Sequence, residues 1–322
     1  MKKIIWALLD NRMGSVGQAK GIMQELSPEK FDVVEKKLDY SPWAALPNFL
    51  RRSSLLGVVN PEILQGNFPD AILSTSRRTA PIALYLKRKN PHIKLFQLMF
   101  PGKYGINKFE KVFLPKHDAN KKELPNFYWT VGSPHRVTST VLDHAAQEWG
   151  DKFANLPRPL TALIIGGAIK GRPFTQENAT LLAGEVKALK QRIGGSLLIT
   201  DSRRTGAEAE EIIVEILKDI PSYRFLWGSK DGNPLMGYYA CADNLVVTGD
   251  SVSMCCEACG TGKPVYIFEG KNWLRPKHLR FTKSLFDEGY AMLLGDSCEQ
   301  FCGGKVLYPS AEIARVIEAV FS

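Results

Sequence analysis

Runs of consecutive apolar residues alternate along the chain with segments in which apolar residues recur at helical spacing. The first run, Ile4 to Leu9, contains no polar residue, and mostly apolar runs follow at 160–165 and 245–247. An unbroken apolar run of this length is typical of a strand that is buried on both faces of a parallel sheet. Strands that alternate with helices along the whole chain predict an α/β fold.

The strand and helix pattern occurs in two successive halves, residues 1–155 and 160–322. Between them, the segment 154–159 contains two prolines, which separate a helix from the next strand and are typical of a linker. Ser-Arg-Arg-Thr follows a predicted strand once in each half, at 76–79 and at 202–205. We therefore predict two Rossmann-like domains that face each other across a cleft.

The first strand is followed by a loop, 10–17, that is rich in glycine and small polar residues and precedes a helix. Its glycines do not match G-x-G-x-x-G, so the fingerprint of dinucleotide-binding proteins is absent. At the other end of the chain, Ser310 is predicted to cap a last helix over 311–321. That helix is expected to pack back on the first domain.

The composition excludes few classes of protein. The chain has 322 residues, of which 44% are hydrophobic and 23% are charged, as in ordinary soluble globular proteins. It is long enough for two domains that each bury a full core. The opening apolar run ends at Asp10, and no small-residue cleavage site follows it. We therefore predict a first strand rather than a signal peptide, no transmembrane segment and a cytoplasmic location.

The excess of basic residues is confined to the first half of the chain. Residues 1–155 contain 23 Lys and Arg against 14 Asp and Glu, whereas residues 156–322 contain 19 of each kind. This asymmetry favours an anionic partner for the first domain, such as a membrane face, an acidic acceptor or nucleic acid. Nucleic acid is the weakest of the three, because the basic residues are not interleaved with a recognition motif. The alternative is an ordinary solvated surface.

One segment of the first half, 41–58, places Trp43 and Phe49 beside the pair Arg51 and Arg52. Aromatic and apolar side chains next to arginines are typical of a segment at a membrane interface or around a lipid-like acceptor. On that interpretation the protein lies peripherally on the inner face of a membrane. The alternative is a loop that packs on the core.

Two pairs of cysteines, Cys256 with Cys259 and Cys298 with Cys302, could be drawn as a zinc site. The first pair, however, lies among apolar residues in a predicted helix, and neither spacing resembles a zinc knuckle. Buried, reduced thiols are therefore the favoured interpretation. We predict no metal and no cofactor.

The stretch 244–270 carries the main candidate chemistry. A strand at 245–247 is followed by Gly-Asp-Ser, by a helix that starts near Ser251, and by a second strand at 264–268. Free N–H groups at the helix start and the positive end of the helix dipole favour binding of a phosphate without a metal. Glu257, the one charged residue of this helix, could reach the hydroxyls of a ribose. The alternative is a solvated side chain.

A second glycine-rich loop, 166–172, follows the strand at 160–165. Because Gly166 and Gly167 have no side chains, their backbone N–H groups could approach phosphate oxygens closely. The charge of a diphosphate would be met by basic side chains at the strand ends, namely Lys170, Arg172, Arg203 and Arg204.

Several motifs resemble those of the "elongated mitochondria" fission-protein family, over nearly the whole chain. The most specific is Thr-Gly-Asp-Ser-Val-Ser-Met at 248–254. The others are Leu9 to Arg12, Gly132 with His135, Ser202 to Thr205, Asn233-Pro234, Ala242-Asp243, Glu257-Ala258 and Thr261 to Tyr266. Bacterial members of that family are labelled as predicted nucleotide-sugar epimerases. For plant members, the resemblance implies a mitochondrial location and recruitment of a dynamin-like fission protein.

More distantly, the chain is similar to glycosyltransferases of the GT-B architecture, such as the N-acetylglucosaminyltransferase that makes the peptidoglycan lipid precursor. This resemblance implies a donor nucleotide on the second domain, with Glu257 holding the ribose, and a membrane-facing first domain. The histidine in that enzyme's first loop has no counterpart at 14–18. By position alone, Asp10 and His135 are the substitutes for a catalytic base. The alternative for each is a turn cap or a paired polar residue.

Together these features predict a metal-independent glycosyltransferase that uses a nucleotide-diphosphate sugar, with an envelope glycolipid or glycan as acceptor. The alternatives are a nucleotide-sugar epimerase on the same fold and a non-catalytic, membrane-associated adaptor. The predicted contacts of the nucleotide sugar are Gly166, Gly167, Lys170, Arg172, Ser202, Arg203, Arg204, Trp227, Asn233, Met236, Ser251, Val252, Ser253, Met254 and Glu257.

Overall fold

A computed structural model of the protein describes residues 2–118, 123–230, 232–295 and 303–322. The chain forms two compact α/β units. The first comprises Met1–Arg136 together with Tyr308–Ser322, and the second comprises Val137–Leu307. In the described residues each unit contains one six-stranded parallel sheet, which confirms the predicted α/β class and the two Rossmann-like halves.

The sheet of the first unit has the strand order β2-β1-β3-β4-β5-β6. Its strands are β1 (Lys3–Leu9), β2 (Phe31–Lys37), β3 (Ala71–Ser74), β4 (Lys94–Leu98), β5 (Lys111–Pro115) and β6 (Phe127–Thr130). The helices of the same stretch are α1 (Met13–Glu25), α2 (Asn48–Arg51) and α3 (Ala80–Lys89). The unbroken apolar run of β1 has a simple cause. Trp6 and Leu8 belong to one core cluster and Ile5 to another, so both faces of the strand are covered.

The sheet of the second unit has the order β12-β11-β10-β7-β8-β9. Its strands are β7 (Leu160–Ile164), β8 (Ser196–Thr200), β9 (Ser222–Phe225), β10 (Asn244–Thr248), β11 (Val265–Phe268) and β12 (Met292–Leu293). Its helices are α4 (Ser139–Phe153), α5 (Gln176–Ile193), α6 (Ala207–Ile216), α7 (Leu235–Cys241), α8 (Val252–Cys259) and α9 (Pro276–Asp287). All five residues of β7 are buried, as are those of β8 and β10.

Each sheet has a point at which the chain reverses its direction of travel across the strands. In the first unit the chain goes from β1 to β2 on one side and then to β3 on the other. In the second unit it goes from β7 outward to β9 and returns to β10. Ligands of open α/β sheets bind at such switch points, outside the carboxyl ends of the strands. The β1/β3 and β7/β10 strand ends are therefore the expected places for a ligand site.

The boundary between the units lies after Arg136, ahead of the predicted linker at 154–159. The reason is α4, which packs within the second unit. The ring of Phe153 lies 5.7 Å from that of Tyr238 and 5.2 Å from that of Tyr223, centroid to centroid. Aromatic contacts of this kind contribute more than their buried area alone, and they attach α4 to the second sheet.

Two further details differ from the sequence-based expectations. Helix α1 begins at Met13, so Gly14 and Gly17 lie inside a helix rather than in a loop. The last helix, α10 (Pro309–Ala319), packs on α1 in the first unit, and Ser310 lies within it instead of capping it. The Ser310 hydroxyl is bonded to the backbone of another loop. No helix in the described part of the chain is both long and apolar enough to span a membrane.

Candidate functional site

Three loops of the second unit meet at the β7/β10 switch point. They are the glycine-rich loop that begins at Gly166 after β7, the loop 201–206 after β8, and the turn 249–251 that leads from β10 into α8. Because all the strands are parallel, these loops leave the same edge of the sheet. Most of the residues predicted from sequence as nucleotide-sugar contacts lie on them.

A buried carboxylate joins the three loops. The side chain of Asp250 is 0% exposed and its Oδ2 lies 2.7 Å from Nη1 of Arg204. The Thr248 hydroxyl donates to Asp250 Oδ1 at 2.8 Å, and the N–H of Gly167 donates to Oδ2 at 3.0 Å. The same Thr248 hydroxyl accepts from the N–H of Gly166 at 2.7 Å. Burial raises the pKa of Asp250, and the Arg204 charge opposes that shift.

The two glycines of the β7 loop are required by close packing. A Cβ at Gly166 would overlap both carboxylate oxygens of Asp250, and one at Gly167 would overlap the backbone at Arg204. Gly167 also has a φ of +139°, which a side chain would strain. The N–H groups of these glycines were predicted to bind a phosphate. They are instead paired with Thr248 and Asp250, so their role here is to hold the loops together.

Two of the four predicted cations also have structural partners. Arg204 binds the buried carboxylate described above, and Nη1 of Arg172 donates to the carbonyl of Leu274 at 2.7 Å. Arg172 therefore ties the β7 loop to the segment before α9. Lys170 and Arg203 are exposed, and neither side chain forms an ion pair with any described residue. These two charges remain available to a ligand.

Ser202 fixes the shape of the loop after β8. Its hydroxyl donates to the carbonyl of Gly166 and accepts from the N–H of Arg204 at 3.2 Å. Thr205 completes the turn, because its hydroxyl accepts from the N–H of Ser202 at 3.1 Å and donates to the same Gly166 carbonyl at 2.8 Å. The Ser202 side chain therefore acts within the protein. Arg203 and Arg204 are both exposed, but only Arg204 is paired with a carboxylate of the described residues.

Helix α8 begins as the sequence predicts. Ser251 is its N-cap, and the Ser251 hydroxyl accepts from the N–H of Met254 at 3.5 Å. The N–H groups of Val252 and Ser253, in the first turn, have no acceptor within the helix. They lie at the positive end of the helix dipole, a position suited to an anion such as a phosphate.

Glu257 lies on α8 and is half-buried. Its Oε2 accepts from the hydroxyl of Tyr239, on α7, at 3.2 Å. Tyr239 is fully buried, and its pKa is raised well above the ordinary value by burial first and by Glu257 second. The hydroxyl therefore keeps its proton and holds one oxygen of the carboxylate in place. Tyr239 was not among the predicted site residues, although a tyrosine on a buried helix face usually has a partner for its hydroxyl.

The residues after β9 form the outer part of the site. Trp227 is 63% exposed, and its backbone N–H donates to Oδ1 of Asp201 at 2.6 Å. Asn233 precedes α7 and accepts from the N–H of Leu235 at 3.0 Å. Met236 lies in the first turn of α7 and is half-buried. Of these three predicted contacts, Trp227 and Asn233 are exposed.

A pair of carboxyl groups, which the sequence did not predict, lies beside the carboxyl end of β8. Asp201, directly after β8, lies beside Glu210 on α6, and each carboxyl group affects the pKa of the other. Two neighbouring carboxyl groups do not readily carry two negative charges, so they favour a state with one proton between them. The pKa of Glu210 is raised to about 7, by burial first and by Asp201 second, and burial raises the pKa of Asp201 as well.

Both residues suggested as catalytic bases are engaged inside the first unit. Asp10 is fully buried, accepts from the N–H of Arg12 at 2.9 Å and lies 3.3 Å from Nη2 of Arg78. His135 is buried, its backbone is paired with the Ser310 hydroxyl, and its ring packs 5.4 Å from that of Tyr308. These surroundings explain both residues as structural and do not support a base at either position.

The cysteines of α8 are buried thiols. Cys255, Cys256 and Cys259 are at most 1% exposed. Burial raises the pKa of Cys255 and of Cys259 well above the ordinary value, so these thiols keep their protons and are poor metal ligands. The second pair of the zinc alternative, Cys298 and Cys302, lies outside the described residues.

Solved structures with the same architecture identify the class of fold. The UDP-GlcNAc 2-epimerase of Methanocaldococcus jannaschii superposes with a TM-score of 0.58 at 11% identity, over 99% of each chain. The UDP-GlcNAc 2-epimerase of Neisseria meningitidis, bound to UDP-GlcNAc, has a TM-score of 0.51 at 12% identity, again over 99% of each chain. At such low identity these likenesses show the fold alone. The protein has the GT-B fold, as these two epimerases do.

The sequence comparisons narrow the class to a family. The family model described as "Mitochondrial fission ELM1" matches residues 13–321. Mitochondrial fission protein ELM1 of Arabidopsis thaliana is 31% identical over 257 residues, which cover 72% of this chain but 59% of that protein. Uncharacterized protein RP120 of Rickettsia prowazekii (strain Madrid E) is 29% identical, over 98% of this chain and 97% of its own. The chain belongs to the mitochondrial fission ELM1 family, as its motifs predicted.

Proposed function

We propose that the protein is a metal-independent glycosyltransferase that binds a nucleotide-diphosphate sugar on its second unit. The observation that carries this proposal lies at the β7/β10 switch point. Helix α8 begins there with N–H groups that have no acceptor within the helix, and further along the same helix the carboxylate of Glu257 is held in place. The first of these suits a diphosphate and the second suits the hydroxyls of a ribose. Both are supplied by α8.

Each part of the donor then has a chemical partner. The diphosphate accepts from the N–H groups of Val252 and Ser253, and the ribose hydroxyls donate to the carboxylate of Glu257. The nucleobase stacks on the exposed ring of Trp227, since every base offers a flat face to an aromatic side chain. Arg203 and Lys170 bring positive charge to the same strand ends.

This arrangement would also assist the transfer step. As the glycosidic bond breaks, negative charge develops on the departing nucleoside diphosphate. A helix dipole and fixed cations that already point at that position stabilise the charge without a metal ion. The carboxylate of Asp250 does not oppose them, because Arg204 neutralises it at 2.7 Å. No residue is assigned as the base that activates the acceptor.

The first unit is the proposed acceptor side, with an anionic membrane surface as its neighbour. Residues 1–136 and 308–322 contain 23 Lys and Arg against 13 Asp and Glu. The segment 41–58 exposes Trp43, Phe49 and Leu50 by 62%, 64% and 55%. Large apolar side chains that remain exposed on a basic surface favour a peripheral membrane contact. An envelope glycolipid or glycan would reach the protein there.

Epimerisation of a nucleotide sugar is the second candidate, and the pair Asp201 and Glu210 favours it. An epimerase needs an acid and a base near the sugar, and this pair exchanges a proton near neutral pH. Asp201 of the pair also accepts from the backbone N–H of Trp227, which follows the neighbouring strand β9. Glycosyl transfer remains the first proposal, because the proposed contacts of α8 concern the leaving diphosphate.

Product analysis with a panel of nucleotide sugars and a membrane-lipid extract separates the candidates. A transferase releases a nucleoside diphosphate only when the acceptor is present and labels the extract with the sugar. An epimerase converts the sugar without any acceptor, and an adaptor binds a nucleotide and consumes nothing. The proposal predicts acceptor-dependent release that Glu257→Ala abolishes. Binding without turnover, across the whole panel of donors and extracts, would contradict it.

A further inference from the structure

The switch point of the first unit, between β1 and β3, carries chemistry that the donor site does not use. Asp10 follows β1, and Ser-Arg-Arg-Thr at 76–79 follows β3. In the second unit the same four residue types follow β8 at 202–205, beside the candidate site. The repeat was visible in the sequence, and the structure shows what the two copies have in common.

The two copies fold into the same turn. The N–H of Ser76 donates to the Thr79 hydroxyl at 3.0 Å, as that of Ser202 does to Thr205 at 3.1 Å. The second arginine of each copy then pairs with a buried carboxylate at the end of another strand, β1 next to β3 in the first unit and β10, two strands from β8, in the second. Arg78 lies 3.3 Å from Asp10, and Arg204 lies 2.7 Å from Asp250. Each unit thus has an arginine–carboxylate pair at its switch point.

The first unit differs in having an excess of positive charge at this point. Arg51 is 1% exposed, and in the described part of the chain its guanidinium binds only the carbonyls of Leu56 and Arg78. Desolvation lowers the pKa of Arg51, and the charges of Arg77 and Arg78 lower it further. Of these three arginines, Arg78 is paired with the Asp10 carboxylate, whereas Arg51 and Arg77 have no carboxylate partner among the described residues, so the excess is two positive charges. A buried charge without a counter-ion is unfavourable.

Two hydrogen-bond donors in the same cluster lack an acceptor. Among the described residues, the hydroxyl of Tyr40 and the Nε of Arg78 are buried and have no hydrogen-bond partner. The Arg78 guanidinium lies over the Tyr40 ring, 4.7 Å from its centroid. The pKa of Tyr40 is raised by burial first and by Asp10 second, so the hydroxyl keeps its proton. An unpaired buried donor destabilises the fold until an acceptor reaches it.

We propose that the β1/β3 switch point is a second ligand site, which binds a phosphate group through Arg77, Arg78 and Tyr40. The charge of a phosphate monoester, about −1.5 to −2 at neutral pH, matches the excess of +2. Arg77 is exposed and Arg78 is 15% exposed, so the phosphate approaches from their side.

Binding requires the phosphate to replace weaker partners of these arginines. Arg77 now donates to the carbonyls of Leu46 and Ala45, at 2.9 and 3.2 Å. A phosphate is a stronger acceptor than a carbonyl, because the hydrogen bond is then charge-assisted. As Arg77 turns to the ligand, the segment near 45–57 loosens and the Tyr40 hydroxyl and Arg78 Nε come within reach. The further conclusion that the acceptor of the transfer reaction carries a phosphate rests on the proposed function. Phosphate binding at this site does not depend on that function.

Calorimetry with inorganic pyrophosphate, in the presence of saturating UDP, tests this site on its own. UDP occupies the donor site if that site binds it, so the remaining heat reports the first unit. The decisive variant is Tyr40→Phe, which removes only the hydroxyl. We expect the dissociation constant for pyrophosphate to rise about tenfold or more, the usual effect of losing a hydrogen bond to a charged group. The melting temperature of the free variant should stay equal or increase, because an unpaired buried donor is gone.

Tyr85→Phe is the matched control. Tyr85 belongs to the same unit, and two cations lie over its ring, Arg88 at 5.5 Å and Lys89 at 5.8 Å from the centroid. It should leave pyrophosphate binding unchanged. Equal affinity of wild type and Tyr40→Phe for pyrophosphate, or no binding to wild type, overturns the second site. Loss of UDP binding with retained, Tyr40-dependent pyrophosphate binding overturns the proposed donor site and leaves this one standing.

Discussion

The hydroxyl of Tyr239 donates to Oε2 of Glu257 at 3.2 Å, from one helix of the second unit to the next. Tyr239 is fully buried, whereas Glu257 is only half-buried. One oxygen of the carboxylate is thus held by a hydroxyl of the core, while part of the side chain is accessible to solvent. A carboxylate oriented in this way can bind a ribose without first losing much side-chain freedom.

Tyr239→Phe should weaken nucleotide binding. The variant removes the hydroxyl that orients Glu257, so the carboxylate must be ordered when the nucleotide binds. We expect the dissociation constant to rise about threefold to tenfold, and the free energy of unfolding to fall by about 1 kcal/mol for the lost hydrogen bond. Calorimetry and denaturant unfolding measure the two effects.

Tyr238→Phe is the matched control for this prediction. Tyr238 is equally buried, but its hydroxyl donates to the carbonyl of Ile199 at 3.1 Å. The variant should lose a similar free energy of unfolding and bind nucleotides as wild type does. If both variants weaken binding to the same extent, the effect is one of stability and the positioning role of Tyr239 is wrong.

Gly166→Ala should damage both stability and binding. The new methyl group would overlap the carboxylate oxygens of Asp250, which must then move away from Arg204. Overpacking of this kind costs about 1 to 3 kcal/mol. Gly184→Ala, on α5, adds the same methyl group where no atom lies within 4 Å. That control should stabilise the protein by about 0.5 to 1 kcal/mol, because glycine is unfavourable inside a helix.

Arg172→Gln and Arg203→Gln should have opposite effects, although sequence reasoning treats the two arginines alike. Arg172 binds a backbone carbonyl at 2.7 Å, so its replacement should lower the free energy of unfolding by about 1 kcal/mol and leave affinity unchanged. Arg203 is exposed, so its replacement should weaken diphosphate binding about fivefold, or about 1 kcal/mol, with unchanged stability. Thermal unfolding and calorimetry on both variants decide the matter. The reverse result, a lower affinity for Arg172→Gln and a lower stability for Arg203→Gln, would show that the β7 loop, not the β8 loop, faces the ligand.

Stability should depend on pH through Glu210. Its pKa is raised in the folded protein from 4.5 to about 7, so the folded state holds the proton more tightly than the unfolded state. The resulting stabilisation is present below pH 4.5 and is lost as the pH rises through about 7. Glu210→Gln cannot titrate, so its melting temperature should rise relative to wild type across this window. A constant difference between the two proteins from about pH 4 to pH 8 would show that Glu210 has an ordinary pKa.

Local patterns in the sequence were sufficient for most of the fold. The unbroken apolar run of β1 predicted a strand buried on both faces, and both faces are covered. Ser251 was predicted as the start of α8 and is its N-cap. These features depend on residues within one turn or one strand. The boundary of the units could not be read in this way, because α4 is attached to the second sheet by contacts between Phe153 and tyrosines some 70 to 85 residues further along the chain.

The sequence did not predict the contacts that several residues of the candidate site make within the protein. Glycines and arginines at strand ends suggested a phosphate cradle. In the structure Gly166 and Gly167 make room for Asp250, and Arg204 neutralises it. Whether a strand-end arginine meets a ligand or a buried carboxylate depends on residues about 50 positions away. The same limit hid Tyr239, whose partner lies on the next helix.

The most direct test of the account is calorimetric binding of uridine, guanosine, cytidine and adenosine diphosphates and their sugars to wild type, Glu257→Ala and Tyr238→Phe. The account predicts that one nucleotide binds wild type and Tyr238→Phe equally, and binds Glu257→Ala about 10 to 100 times more weakly. It also predicts the same result in the presence of a metal chelator. Binding that is unaffected by Glu257→Ala, or no binding by wild type across the panel, would contradict a donor site on α8.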